Sequence, residues 1–212
     1  TRSTDSRLEA GLAIDFLGNG PSHAPETLVL AHGAGAPMDS EFMGFVSEAL
    51  AARGIHVLRF EFPYMRARRE SGKPRPPDRE AVLLETWRQA IRECGVESPF
   101  IGGKSLGGRM ASMVADEMGA AGLICLGYPF HPPGKPERTR TAHLEGLRTP
   151  TLIVQGTRDP FGNREDVAGY ALSTAIQVRW IEGGNHDLQV PGRAKAETWS
   201  ETVEAVGAFV RG

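Results

Sequence analysis

Three short segments carry residue types that together could transfer an acyl group. Gly103-Lys104-Ser105-Leu106-Gly107 is a G-x-S-x-G between an apolar run and an amphipathic stretch. That setting describes a nucleophile elbow, a serine on a strained turn whose small neighbours let a helix pack against a strand. A serine hydroxyl is a poor nucleophile at neutral pH, so it needs a base, and the base needs an orienting acid. Downstream, Asp159 in Gly156-Thr157-Arg158-Asp159-Pro160 follows the apolar run Leu152 to Gln155, and His186 in Gly183-Gly184-Asn185-His186-Asp187 precedes the last amphipathic stretch. Chain order and placement both fit Ser105 as nucleophile, Asp159 as acid and His186 as base. Asp187 is a rival acid, but a residue adjacent to the histidine usually points elsewhere. Gly103-Lys104-Ser105 also resembles the end of a phosphate-binding loop. That motif needs a glycine five residues before Gly103, where Ser98 stands.

Acyl transfer builds negative charge on the former carbonyl oxygen, which two fixed N–H groups must meet. Leu106, next to the nucleophile, supplies one candidate. His32-Gly33-Ala34-Gly35-Ala36-Pro37 supplies the other, most directly through Ala34, with Gly35 next, because small residues let backbone approach a ligand. His32 reads as a structural residue of that loop. Gly35, Tyr64, Lys104, Arg109, Tyr128 and His131 are the candidate substrate-binding residues. Between Arg59 and Arg79 stand seven basic and three acidic residues. They read as a solvated run, with a cationic lip for an anionic substrate as the alternative.

Buried strands alternating with crossover helices must position these groups. Apolar runs at Leu28–Ala31, Ile55–Phe62, Phe100–Gly103, Gly122–Leu126, Leu152–Gln155 and Ile176–Ile181 read as strands, with an opening strand near Leu12–Leu17. Glu41–Arg53, Asp78–Cys94 with Asp78 as N-cap, Leu106–Met118, Glu165–Leu172 and Ala194–Val210 read as helices. Tyr64–Pro77 and Tyr128–Arg140 are too polar and proline-rich for regular elements, and both follow strand ends, where open parallel sheets bind ligands. The expected architecture is one α/β domain over residues 1–212, a mostly parallel sheet flanked by helices on both faces with no large cap.

The chain has 212 residues, 40% hydrophobic and 24% charged, enough for a substantial core. Its formal net charge of -2 gives no general pull toward nucleic acid or an anionic membrane. No apolar run has spanning length, and the opening residues lack a signal-peptide pattern. Cys94 and Cys125 alone build neither a disulfide framework nor a zinc site, so a reducing, cytoplasmic compartment is expected. The chemistry needs no metal and no organic cofactor. The expected partner is a small-molecule ester or thioester, not nucleic acid or a membrane.

Taken together, Leu30–Ser40, Val57–Met65, Gly103–Ser112, Leu126–Pro136, Gln155–Gly162 and Gly183–Leu188 resemble the small, lid-poor α/β-hydrolases. The resemblance is to dienelactone-hydrolase-like proteins, and more closely to the predicted hydrolases of the testis-expressed protein thirty type. It implies the α/β-hydrolase fold and the same Ser105, Asp159 and His186 roles. True dienelactone hydrolases differ in carrying cysteine at the nucleophile position. The implied activity is a serine hydrolase acting on a carboxylic ester or thioester through an acyl-serine. The alternatives are a hydrolase-fold binding or scaffold protein with weak or no catalysis, and an acyltransferase on the same triad.

Overall fold

The computed structural model describes residues 13–212. Among these residues seven strands form one sheet in the order β1-β3-β2-β4-β5-β6-β7. They are β1 (Leu17–Asn19), β2 (Thr27–Ala31), β3 (His56–Phe60), β4 (Phe100–Lys104), β5 (Gly122–Leu126), β6 (Thr151–Gly156) and β7 (Ile176–Ile181). All neighbouring pairs are parallel except β1 with β3. Strands β2, β5 and β6 are buried along their whole length, which is why they read as unbroken apolar runs. The opening strand begins later than the sequence suggests, and Leu12 lies outside the described residues.

Among the described residues six α-helices flank the sheet: α1 (Glu41–Ala51), α2 (Pro63–Ser71), α3 (Glu80–Glu93), α4 (Leu106–Ser112), α5 (Arg164–Ala168) and α6 (Lys195–Arg211). One apolar layer packs Met43, Val46 and Leu50 of α1 and Val203 and Val206 of α6 against Leu28, Leu30 and Val154. The opposite layer packs Leu83, Trp87 and Ile91 of α3 and Met110 and Ala111 of α4 against Val29, Ile101 and Ile153. Helices thus lie on both faces of a mostly parallel sheet, as expected, and the described residues include no large cap. Among them no helix is long and apolar enough to cross a membrane.

Four local expectations need correction. Helix α5 ends at Ala168 rather than at Leu172. Tyr64–Pro77 is not irregular throughout, because α2 occupies its first half, opened by Pro63 at its first position and closed by Gly72 at φ 66°. Asp78 does not cap α3. Arg79 stands at the N-cap, and the Asp78 carboxylate accepts the Tyr64 N–H at 2.8 Å instead. Helix α4 ends at Ser112, well before Met118, and the chain then turns back to enter β5 at Gly122.

Candidate active site

Strand β4 delivers Ser105 into a backbone conformation, φ 49° and ψ -111°, that few non-glycine residues adopt. The glycines around it explain the motif. A Cβ on Gly103 would stand 2.2 Å from the Ala31 carbonyl oxygen, and one on Gly107 only 2.4 Å from the same atom and 2.7 Å from that of His32. Backbone lies on these sides and cannot yield. Gly107→Ala is therefore expected to cost about 3 kcal/mol of folding stability, measured by urea denaturation.

The His186 and Asp159 loops converge on this turn. His186 Nε2 lies 2.9 Å from Ser105 Oγ, and His186 Nδ1 lies 2.7 Å from Asp159 Oδ2. Asp159 is fully buried, and both its oxygens are occupied. Oδ1 accepts the Phe161 N–H at 2.8 Å, and Oδ2 also accepts Gln155 Nε2 at 2.9 Å. Gln155 is itself buried at the end of β6, with Oε1 accepting the Tyr128 N–H at 2.7 Å. The Phe161 ring packs on the imidazole of His186, centroids 4.2 Å apart. Neither Gln155 nor Phe161 figures among the expected site residues. A glutamine inside the run Thr-Leu-Ile-Val-Gln-Gly was the available signal, since a buried polar side chain needs partners.

Lys104 is nearly buried, and its Nζ donates to the His186 carbonyl at 2.8 Å, with Asp187 Oδ1 at 3.6 Å. Burial pushes its ammonium below the usual lysine range, against the pull of Asp187 and Asp159. Asp187 thus faces Lys104, while the imidazole turns to Asp159. Asn185 folds the histidine loop by accepting the N–H groups of Asp187 and Gln189 on its side-chain oxygen, each at 3.0 Å.

Across the cleft, Ala34 and Gly35 belong to the loop that leaves β2. The Leu106 N–H is the first of helix α4, and such an N–H has no acceptor within its own helix. His32 is buried beneath this loop, with Nδ1 2.7 Å from the Gly33 carbonyl and Nε2 accepting the Phe62 N–H at 3.2 Å. Burial lowers its pKa, which keeps the ring neutral and matches one nitrogen donating while the other accepts.

A cleft of about 410 Å³ opens over Ser105 and His186, walled by Phe42, Met43, Phe161 and Trp199 and by the 33–36 backbone. Of the six expected substrate-binding residues, Gly35 and Lys104 line it. The other four lie elsewhere, each held by protein partners. Tyr64 is buried under the 33–36 loop, its hydroxyl donating to the Ala34 carbonyl at 3.1 Å. Arg109 pairs with Glu80 at 3.0 Å, on the α3–α4 side of the sheet. Tyr128 is buried with its hydroxyl donating to the Arg140 carbonyl at 3.0 Å, and His131 is buried against Asp166 at 3.1 Å. The aromatic walls come from α1, α6 and the Asp159 loop, which sequence spacing does not bring together. Among the described residues no cluster of three or more His, Cys, Asp or Glu side chains is arranged to hold a metal ion.

Comparison with known proteins agrees with this architecture. A family model described as an alpha/beta hydrolase domain matches residues 24–211. Dienelactone hydrolase from Anabaena variabilis superposes with a TM-score of 0.72 at 18% identity, covering 94% of this chain and 92% of that one. A monoacylglycerol lipase from Paleococcus ferrophilus gives 0.69 at 17%, covering 93% and 100%. An α/β serine hydrolase without a lid from Xanthomonas campestris gives 0.68 at 15%, covering 93% and 88%.

Proposed function

We propose that this chain, which belongs to the α/β-hydrolase family, is a serine hydrolase that cleaves a small carboxylic ester or thioester through an acyl-serine intermediate. The observation that carries the reading is the continuous relay Asp159–His186–Ser105, with contacts of 2.7 and 2.9 Å, beneath an open cleft. His186 Nε2 takes the Ser105 proton as Oγ attacks the acyl carbon. The resulting oxyanion is met by the N–H groups of Ala34 and Leu106. The imidazolium then passes its proton to the departing alcohol or thiol, and the acyl-serine forms. Water enters, His186 removes its proton, and collapse of the second tetrahedral intermediate returns the proton to Ser105 Oγ and releases the acid. Asp159 holds Nδ1–H and stabilises the cationic ring throughout.

The apolar walls of Phe42, Met43, Phe161 and Trp199 support an apolar acyl or alkyl group, and the modest cleft supports a short one. Fold neighbours that are a dienelactone hydrolase and a monoacylglycerol lipase support an ester bond as the target. Intact mass after incubation with a small fluorophosphonate tests the reading. A single adduct on the wild type and none on Ser105→Ala is expected. A folded wild type without adduct would favour the scaffold alternative.

A further inference from the structure

The segment Gly33–Ser40 holds one of the two oxyanion donors, yet it has little main-chain bonding of its own. Among the described residues, its internal backbone bond is Ser40 N–H to the Pro37 carbonyl at 3.1 Å. The carbonyls of Gly33, Ala34, Gly35 and Met38 face side-chain donors instead, largely from β3 and α2. Tyr64 Oη donates to Ala34, and Arg59 Nη1 donates to Met38 at 2.8 Å. Arg68 Nη1 stands 3.5 Å from the Gly35 carbonyl, and the Met38 N–H donates to Glu61 Oε1 at 3.3 Å. Burial pushes the Tyr64 phenol up, so it stays a protonated donor.

Arg69 closes this set. Its Nη1 and Nη2 donate to Asp39 Oδ2 and Oδ1 at 2.9 and 2.8 Å. Its Nη2 and Nε donate to Glu61 Oε1 and Oε2 at 2.6 and 3.2 Å. One planar guanidinium therefore ties a carboxylate on the loop to a carboxylate just past β3, a use of the arginine fork that a point charge cannot copy. Arg59 is buried and reaches Asn19 Oδ1 at 2.7 Å with its other arm, so β1 and β3 join the same brace. The positions follow from the elements. Arg59 and Glu61 are two apart along an extended chain, and Tyr64 and Arg68 are four apart on α2, so each pair shares a face.

We propose that Asp39, Glu61, Arg59 and Arg69 form a clamp that holds the 33–40 loop with its oxyanion donor in place, with Arg69 as a positioning residue acting through Asp39. The basic run from Arg59 to Arg79 is then neither wholly solvated nor a lip for anionic substrates, since its inner arginines are engaged by the protein. A half-exposed ion pair alone stabilises little, typically about 0–1 kcal/mol. Its leverage lies in geometry, because an oxyanion donor displaced by a fraction of an ångström stabilises the transition state less. The inference rests on the acyl-serine reading.

The test compares wild type, Arg69→Met and Asp39→Ala for kcat and KM on an activated ester, and for inhibition by a trifluoromethyl ketone whose adduct presents an oxyanion. Hydrogen exchange of residues 33–40 is measured alongside. Both variants are expected to lower kcat about 10- to 50-fold, part of the ~10²–10³ lost when a donor is removed outright. KM should stay within about twofold, the ketone should weaken by the same factor as kcat, and loop amides should exchange faster. Arg69→Met strands the buried Glu61 carboxylate, so it risks misfolding, whereas Asp39→Ala leaves the Arg69–Glu61 pair intact. Unchanged kcat and ketone affinity in folded Asp39→Ala would overturn the clamp, as would a raised KM with kcat unchanged. A wild type that neither turns over esters nor takes a fluorophosphonate overturns the acyl-serine reading, and the clamp's catalytic role falls with it.

Discussion

Ser105→Ala is expected to lower kcat/KM for an activated ester by about 10⁵-fold or more, in line with removal of the nucleophile from other serine relays. The fold should survive, because the hydroxyl bonds to His186, on a partly exposed ring that water can serve. What the variant retains is the backbone conformation at φ 49° and ψ -111°. A side chain held there costs about 1–3 kcal/mol, whatever its oxygen does. Ser105→Gly should therefore be as inactive as Ser105→Ala but more stable, by about 1 kcal/mol after the added flexibility of the unfolded glycine is subtracted. Paired urea denaturations of the two variants read this difference directly. Equal stabilities would show that the turn is not strained, and residual turnover above about 1% in either variant would remove Ser105 from the mechanism.

Much of this architecture was legible because the buried parallel strands leave an unmistakable mark. Leu28 to Ala31 and Leu152 to Gln155 are buried on both faces, and the loops that follow them leave from the sheet's carboxyl edge. Ser105, Asp159 and His186 all sit at such ends, so sequence order alone brought them to one edge. Helix α2 escaped because its faces are so unequal. Only Tyr64 and Met65 are buried in Pro63–Ser71, and no apolar periodicity survives. Its end signals were nonetheless present, Pro63 at the first position, Arg68 and Arg69 in the last turn, and Gly72 after it. The cleft walls were hidden for a different reason. Phe42 and Trp199 meet edge to face at 5.3 Å, from helices at opposite ends of the chain, and only the packing of α1 on α6 makes them neighbours. Arg109 and His131 show the converse error, since each lay near the elbow or a loop in sequence yet found an acidic partner elsewhere.

Asp159→Asn is the second large effect, an expected fall of about 10⁴-fold in kcat. The reason lies in the acceptors the carboxylate must supply. Asp159 Oδ2 faces His186 Nδ1 and Gln155 Nε2, while Oδ1 faces the Phe161 N–H, so every neighbour is a donor. An asparagine has one oxygen to offer. With that oxygen toward His186, its amino group meets the Phe161 N–H, two donors in a fully buried space. With the amide reversed, its amino group meets Nδ1 and selects the tautomer whose Nε2 carries the hydrogen. That ring cannot accept the Ser105 proton. Fluorophosphonate labelling should slow in step with kcat, because both need the same deprotonation. Asp187→Asn is the control: its carboxylate is largely exposed and lies 3.6 Å from Lys104 Nζ. Turnover there should stay within about threefold of wild type, the scale of a screened surface charge. A 10⁴-fold loss at Asp187 with little loss at Asp159 would reverse the assignment of the acid.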